Sequence, residues 1–191
     1  METTPGVKIG ETLFKLRDYT PIPLIILVLF VAKPNIVTAT LGTLLIVWGE
    51  LFRIYSVSFI GSISRTRKDQ TGSKLVTEGP FSWMRNPLYV GNFFICIGFA
   101  VFSANIFVMV LTALLFGFQY YYIVMYEENL LTQVFNGEYA EYKTRVPAWF
   151  PRRFPKVEEI TIPTDLGKAL KSERRTLLTI VSLLGLILAT A

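Results

Sequence analysis

The sequence contains no histidine and only one cysteine among its 191 residues. Without histidine there is no histidine-based catalytic triad, no histidine metal site and no side chain whose unperturbed pKa lies near neutrality. A single cysteine excludes a disulfide within the chain and argues against a thiolate metal cluster. Cys96 lies inside an apolar run, so we interpret it as a core residue rather than a nucleophile. Any reaction here should need little proton transfer, or use carboxylates, tyrosine or lysine for it.

The chain also lacks the composition of a soluble protein, since 52% of its residues are hydrophobic. This composition predicts an integral membrane protein with a single domain, residues 1–191. The first seventeen residues mix charged and apolar side chains, so no cleaved secretory signal is expected. The net charge of +5 comes from basic residues beside apolar segments. We therefore expect contact with membrane lipids and no binding of nucleic acid.

Long apolar runs predict an all-α polytopic fold with four to five transmembrane helices, because about 20 apolar residues suffice for one crossing. The expected crossings are residues 19–32, 36–60, 88–102 and 106–126, arranged as two hairpins, with residues 177–191 as a short fifth candidate. Residues 7–17 are amphipathic, which favours a position at the membrane interface. After the fourth crossing the sequence predicts a helix broken at Asn136-Gly137 and a second short helix that ends before Pro147.

Basic residues are distributed unevenly between the two ends of the predicted crossings. Of the 19 Lys and Arg residues, 17 fall in the N-terminal segment, in the loop 61–87 or in residues 127–175. The loop 61–87 includes Arg65, Arg67 and Lys68. The positive-inside rule places these segments in the cytoplasm. The two long polar segments should therefore meet on one side of the membrane and form a composite cytoplasmic pocket.

Several polar residues border the predicted crossings, and each has two interpretations. Glu127 and Glu128 end the fourth crossing, where they either mark the water boundary or bind a cationic or hydroxyl-rich ligand. Arg85 either reaches lipid phosphates or belongs to the same site. Pro87, which follows Asn86, is expected at the first position of a helix, where free backbone N–H groups could bind an anion.

Aromatic and ionisable residues at the membrane level also allow two interpretations. The aromatic side chains near the third and fourth crossings either stack on a flat ring or form an interfacial belt; they are Trp83, Tyr89, Trp149 and Phe150. Tyr139 and Tyr142 are three apart and share one helix face, with Arg145 three residues further on. Glu50 and Arg53 can pair across one helical turn, either as a functional pair or as a structural salt bridge.

Two linked segments carry a family resemblance. Residues 74–92 read "KLVTEGPFSWMRNPLYVGN", and residues 127–151 read "EENLLTQVFNGEYAEYKTRVPAWFP". Together they resemble the isoprenylcysteine carboxyl methyltransferase family of membrane enzymes and its bacterial relatives, with phospholipid methyltransferases as more distant relatives. The resemblance places the catalytic core at about residues 62–155 and leaves residues 156–191 as a C-terminal tail. It implies methyl transfer from S-adenosylmethionine, bound on the cytoplasmic side of a bacterial inner membrane, to a lipophilic substrate from the bilayer.

The resemblance also implies roles for individual residues at the matching positions. It implies that Lys74, Leu75, Val76, Phe81, Asn86, Pro87, Leu88 and Tyr89 bind the cofactor and that Glu127 is catalytic. From their positions in the loop and in the acidic pair, we add Arg85 and Glu128 to the expected cofactor-binding residues, and we add Arg145 to the expected catalytic residues as a source of positive charge. The sequence departs from the family at two positions. Asn86 replaces a histidine, so this residue is not expected to act as an obligatory base. Ile123 replaces an arginine that carboxylate-methylating members carry one turn before the glutamates, and Arg145 or Arg85 would have to supply that charge.

Methyl transfer agrees with the absence of histidine. Displacement at a sulfonium depends mainly on positioning and desolvation, and a carboxylate acceptor needs no base. An ammonium or phenol acceptor would lose a proton, for which Glu127 is the available group. The acceptor stays open among a prenylated thiol acid, a phospholipid amine, a quinone-like phenol and a fatty acid. The alternatives to a methyltransferase are an NADPH-dependent reductase of the sterol-reductase kind and a non-catalytic lipid-binding membrane protein.

Overall fold

The computed structural model describes residues 4–60, 74–153, 155–163 and 165–190. In these ranges the chain forms six α-helices, two short 3-10 helices and no strand. The α-helices are α1 (Pro5–Leu16), α2 (Ile22–Val31), α3 (Ile36–Ile60), α4 (Pro87–Phe102), α5 (Ile106–Arg145) and α6 (Leu166–Thr190), and the 3-10 helices are Gly79–Ser82 and Val157–Glu159. The all-α prediction is therefore confirmed. Arg65, Arg67 and Lys68 of the predicted basic loop lie outside the described residues.

The starts of two long helices follow from capping side chains. Asn35 Oδ1 accepts hydrogen bonds from the N–H groups of Val37 and Thr38, each at 3.0 Å, and so caps α3. Asn105 Oδ1 caps α5 in the same way, accepting from the N–H group of Phe107 at 3.0 Å. The observed α3 coincides with the predicted crossing 36–60, whereas α6 begins at Leu166 rather than at residue 177.

Within the described residues, α3 and α5 are the two helices long and apolar enough to cross a membrane. Both helices expose large apolar side chains over much of their length, including Ile36, Val37, Leu41, Leu44, Val47 and Leu51 on α3 and Phe107, Val110, Leu114 and Phe118 on α5. A long helix whose uncovered faces are apolar is typical of contact with lipid. The helices α2 and α4 are apolar but shorter.

Helices α3 and α4 pack closely because glycines face each other at two levels. A Cβ atom on Gly42 would lie 2.6 Å from the Gly98 carbonyl oxygen, and one on Gly49 would lie 2.7 Å from the Gly91 carbonyl oxygen. Small residues at such positions let two helix backbones approach each other within a membrane. The structure thus differs from the predicted pairing of helices, since α3 packs most extensively on α4 rather than on α2.

The other helices surround this pair. Helix α1, which was predicted to lie at the interface, packs along α5, and Gly10 is so close to it that a Cβ atom would lie 2.1 Å from the Tyr122 carbonyl oxygen. An apolar cluster joins α2, α4, α5 and α6 through Val28, Ala100, Val108 and Ile187. Because α6 contributes to this cluster, the C-terminal helix is an integral part of the bundle.

Helix α5 changes direction at Asn136. This residue has a φ of 42° and a ψ of −114°, which interrupts the helical geometry. The predicted break at Asn136-Gly137 is therefore confirmed. Beyond it, Tyr139 and Tyr142 are both buried, and they pack with Leu75 of the loop that precedes α4. The kink thus turns the end of α5 toward that loop.

Candidate functional site

A cavity of about 220 Å³ lies between the loop that precedes α4 and the middle of α5. Its lining residues are Phe14, Ile60, Lys74, Leu75, Val76, Phe81, Arg85, Asn86, Pro87, Leu88, Tyr89, Glu127, Glu128, Leu130, Leu131, Phe135, Tyr139 and Tyr142. The structure therefore brings together eleven of the twelve residues that were predicted for the site, and residues from both motif segments line this cavity. Ile60 and Lys74 flank residues 61–73, which lie outside the described ranges.

Tyr89 and Glu127 are directly bonded inside this cavity. The Tyr89 hydroxyl donates to Glu127 Oε2 at 2.6 Å. The Tyr89 ring also packs against Tyr120, with ring centroids 4.7 Å apart. A hydrogen bond from a phenol to a carboxylate is short and strong when the acceptor is charged. Glu127 is consequently held in one position, with its carboxylate at the cavity.

Glu128, the neighbouring carboxylate, binds two basic side chains. Arg85 donates to Glu128 Oε1 from Nε at 2.9 Å and from Nη2 at 2.6 Å, and Lys143 Nζ lies 2.9 Å from Glu128 Oε2. The side chains of Arg85 and Glu128 are only 11% and 15% exposed. Because one helical step separates Glu127 from Glu128, the two carboxylates have different partners. Both glutamates line the cavity, Glu128 paired with basic side chains and Glu127 bonded to Tyr89.

The loop before α4 is joined to the segment after α5 by hydrogen bonds. The backbone N–H of Arg85 donates to the Pro147 carbonyl at 2.9 Å, and that of Asn86 donates to the Ala148 carbonyl at 3.2 Å. Asn86 Nδ2 also donates to the Ala148 carbonyl at 3.0 Å, and Arg85 Nη1 donates to the Val146 carbonyl at 2.5 Å. We call these contacts the 85–148 seam. Asn86 therefore holds the start of α4 against the segment after α5.

Tyr142 forms a hydrogen bond with an earlier part of the same loop, at Phe81. Its buried hydroxyl donates to the Phe81 carbonyl at 2.6 Å. The loop can lie this close because Gly79 has a φ of 57° and faces the Phe59 ring, where a Cβ atom would lie 2.5 Å from the nearest ring carbon. A larger residue at Gly79 would displace the loop.

The first turn of α4 is less available to an anion than the sequence predicts. Pro87 occupies the first position of the helix, as expected. The N–H groups of Tyr89 and Val90, however, both donate to the Asn86 carbonyl, at 3.1 and 3.2 Å. Since the N–H groups of Arg85 and Asn86 belong to the 85–148 seam, four of the backbone donors around this turn are already engaged. The expected anion site at this helix start is not supported.

Arg145 is the one predicted site residue that does not line the cavity. Its side chain is 67% exposed, and its Nη2 lies 3.5 Å from Glu141 Oε1, one helical turn back. The residue ends α5, so its long side chain points along the surface rather than following Tyr142 inward. Ile123, in contrast, is completely buried. Arg145 therefore does not bring to the cavity the positive charge that an arginine in place of Ile123 would carry.

Of the four aromatic residues considered for stacking, Tyr89 alone is among the described residues that line the cavity. Trp83 instead stacks on Tyr55, with ring centroids 6.0 Å apart. Phe150 is largely exposed. The cavity's other aromatic side chains are Phe14, Phe81, Phe135, Tyr139 and Tyr142. Phe14 and Phe135 were not predicted, and only the amphipathic character of the first helix pointed to Phe14.

The Glu50–Arg53 pair belongs to a buried polar cluster. Arg53 Nη2 donates to both carboxylate oxygens of Glu173 in α6, at 3.1 and 2.9 Å, and its Nε lies 3.4 Å from Glu50 Oε2. Arg53 Nη1 also donates to Asn92 Oδ1 in α4. One guanidinium thus joins α3, α4 and α6, which favours the structural interpretation of the pair. Glu173 was missed, because its partner Arg53 lies 120 positions away in the sequence.

These features define a helical membrane protein with a cavity that lies between a polar loop and the acidic pair of a long helix. A sequence profile described as phospholipid methyltransferase matches residues 37–138. This match covers more than half of the chain, which belongs to the phospholipid methyltransferase family.

The chain is also similar to individual proteins. The chain is 35% identical over 113 residues to the cobalt-zinc-cadmium resistance protein CzcN of Cupriavidus metallidurans, a match that covers 59% of this chain and 49% of that protein. It is 36% identical over 114 residues to the protein-S-isoprenylcysteine O-methyltransferase of Homo sapiens, covering 58% of this chain and 40% of the human protein. The matches thus span less than half of these relatives. No solved structure matches the chain significantly.

Proposed function

We propose that the protein transfers a methyl group from S-adenosylmethionine to a lipophilic small molecule. The observation that carries this proposal is the single cavity formed by the two motif segments. Its residues from Lys74 to Phe135 fall within the part of the chain that matches the family. The family match favours neither the NADPH-dependent reductase nor the non-catalytic lipid-binding protein.

The chemistry of the lining residues suits this cofactor. Glu127 offers carboxylate oxygens to amino or hydroxyl groups, and Leu75, Phe81 and Tyr139 offer apolar and aromatic surfaces to a flat base. The described cavity, at about 220 Å³, is somewhat smaller than the roughly 300–1,000 Å³ of typical small-molecule sites. It reaches Ile60 and Lys74, so it borders the residues outside the described ranges.

When bound, S-adenosylmethionine supplies a methyl group that is activated by the positive sulfur. The protein's contribution is to hold the acceptor in line with that methyl group and to exclude water. Glu127 is the side chain placed to accept a proton from an amine or hydroxyl acceptor, since Tyr89 already holds its carboxylate. A carboxylate acceptor would need no proton transfer. The loop residues Arg85 and Asn86 line the cavity and join the loop to the segment after α5 through the 85–148 seam.

The proposed site faces the cytoplasm at the inner leaflet of a bacterial cytoplasmic membrane. Support comes from the distribution of basic residues, because 17 of the 19 Lys and Arg residues fall on the predicted cytoplasmic side. The lipophilic acceptor would then enter from the bilayer, and membrane lipids are the expected surroundings of α3 and α5.

The cofactor can be tested directly on protein purified in detergent. S-adenosylmethionine at about 100 times its Kd should stabilise the folded state by about 2.7 kcal/mol, which a thermal unfolding experiment detects. NADPH at the same concentration should leave the transition unchanged. Stabilisation by NADPH alone, or by neither compound, would contradict the proposal.

The acceptor can be identified in cells that contain or lack the protein. Cells are supplied with isotopically labelled methyl donor, and their membrane lipids are compared by mass spectrometry. We expect a labelled lipophilic molecule that depends on the protein and disappears in the Glu127→Gln variant.

A further inference from the structure

Helices α4 and α5 are joined by a second polar contact next to the Tyr89–Glu127 hydrogen bond. Asn92 lies three residues after Tyr89 on α4, and Tyr120 lies seven residues before Glu127 on α5. Residues at these spacings share one face of a helix. Asn92 Nδ2 donates to the Tyr120 hydroxyl oxygen at 3.1 Å. The same two faces are therefore joined at the cavity and again about one helical turn deeper in the bundle.

The Tyr120 ring connects these two levels. Its centroid lies 4.7 Å from that of the Tyr89 ring and 4.1 Å from that of Phe116, on which it stacks. Because the Tyr120 hydroxyl is bonded to Asn92, the ring is held at its polar end as well as on its faces. Tyr120 thus provides a fixed surface for the Tyr89 ring, whose hydroxyl is bonded to Glu127.

Arg53 of α3 determines which way the Asn92 amide points. A guanidinium can only donate hydrogen bonds, so it selects the oxygen of an amide. Arg53 Nη1 donates to Asn92 Oδ1, and this leaves Asn92 Nδ2 as the group that meets Tyr120. The amide is therefore held in one of its two orientations. Arg53, Asn92 and Tyr120 form a directed chain of hydrogen bonds from α3 to α5.

Helix α6 anchors this chain, although it lies outside the matched residues 37–138. Arg53 Nη2 donates to both carboxylate oxygens of Glu173, at 3.1 and 2.9 Å, and the Glu173 side chain is completely buried. Thr176 Oγ1 also donates to Glu173 Oε2 at 2.8 Å. A buried pair with two charge-assisted hydrogen bonds fixes the position of a guanidinium. Contacts between side chains thus extend from α6 to the cavity.

We infer that Arg53, Asn92 and Tyr120 are positioning residues for the proposed methyl transfer. All three are described residues, and none of them lines the cavity. They act through Tyr89, because they hold its ring where its hydroxyl meets the Glu127 carboxylate. Small displacements of a reacting group lower reaction rates strongly. This inference rests on the proposed function, since it concerns the reaction at the same site.

Two substitutions interrupt the chain at different points. Tyr120→Phe keeps the ring and removes the hydroxyl that accepts from Asn92, and Asn92→Leu removes both hydrogen bonds of the amide. Thr112→Val is the matched control, because it removes another hydroxyl of α5, which is buried and bonded to the Val108 carbonyl. Protein purified in detergent is supplied with tritiated S-adenosylmethionine and a total lipid extract from cells that lack the protein. The initial rate of methyl transfer to lipid is measured.

Tyr120→Phe and Asn92→Leu should each lower kcat about 10-fold, because the chemical step depends on the orientation of the reacting groups. The KM for S-adenosylmethionine should stay at the wild-type value, since the cavity lining is unchanged. Thr112→Val should retain the wild-type kcat. A wild-type kcat in Tyr120→Phe, a change confined to KM, or an equal loss in the control would overturn the inference.

Fluorine NMR tests the physical coupling without the reaction. Tyr89 is replaced by 3-fluorotyrosine, whose resonance reports the surroundings of the ring. The resonance should shift in Asn92→Leu and in Tyr120→Phe, and it should keep its wild-type position in Thr112→Val. An unshifted resonance in both chain variants would show that Asn92 and Tyr120 do not position Tyr89.

The wild-type protein distinguishes this inference from the proposed function. If it neither binds S-adenosylmethionine nor transfers label to lipid, the proposed function fails, and the reaction assigned to these residues fails with it. If the wild type and both chain variants transfer label equally well, the proposed function stands and only the positioning role is refuted.

Discussion

The Tyr89 hydroxyl donates a 2.6 Å hydrogen bond to Glu127, and this bond joins the first turn of α4 to α5 across the cavity. It connects residues from both motif segments in one contact. This hydrogen bond holds the Glu127 carboxylate in place, and we propose that this carboxylate acts on the reacting group. Two predictions follow from this pair, one for each partner.

Glu127→Gln should abolish methyl transfer while leaving the protein folded. The amide has nearly the same shape but cannot accept a proton, and loss of general base catalysis typically lowers rates by about 100-fold or more. Transfer of labelled methyl groups and the unfolding temperature are measured together. Full turnover in this variant would show that Glu127 has no catalytic role.

Tyr89→Ala should weaken binding of S-adenosylmethionine, because it removes a ring that lines the cavity and the donor that orients Glu127. We expect about a 10-fold increase in Kd by calorimetry, equivalent to about 1.4 kcal/mol. Tyr89→Phe is the matched control, since it keeps the ring and removes only the hydroxyl. An unchanged affinity in Tyr89→Ala would refute the assignment.

Arg85→Gln should destabilise the fold by about 3 kcal/mol, because Glu128 would lose both of its hydrogen bonds to the guanidinium in a mostly buried position. Arg145→Gln is the control, since Arg145 forms an exposed pair with Glu141 that is worth less than about 1 kcal/mol. Chemical unfolding in detergent measures both changes. Equal effects would mean that the buried ion pair is not important for stability.

Gly49→Ala should destabilise the contact between α3 and α4. The added Cβ atom would lie 2.7 Å from the Gly91 carbonyl oxygen, so the helices must separate, at a cost of about 1–3 kcal/mol. Gly117→Ala provides the comparison, because a Cβ atom there meets nothing within 4 Å. The control should unfold at the wild-type temperature or slightly above it, since alanine favours a helix.

The sequence predicted the helices well because apolar length and capping residues act locally. Helix α3 coincides with the predicted crossing, and the break in α5 falls at Asn136. The start of α6 was not predicted correctly, because the helix begins before the apolar run from which it was predicted. Its burial depends on the bond from Arg53 to Glu173, a contact between residues 120 positions apart. No local pattern reports such a contact.

The candidate site was predicted largely through the family resemblance, and the remaining differences have physical causes. Composition alone could not distinguish Glu127 from Glu128, because their roles depend on whether Tyr89 or Arg85 faces each carboxylate. Arg145 was assigned as a source of the positive charge missing at Ile123, but a long side chain at a helix end can turn toward Glu141 instead. Phe14 was missed because its helix lies beyond the motifs.

The 85–148 seam has a consequence for the order in which the protein is made. The loop before α4 leaves the ribosome first, but its partners Pro147 and Ala148 come about sixty residues later. A nascent chain that contains α3 and α4 but ends before Pro147 therefore lacks one half of the seam. The loop before α4 gains these backbone partners only when the segment after α5 has been made.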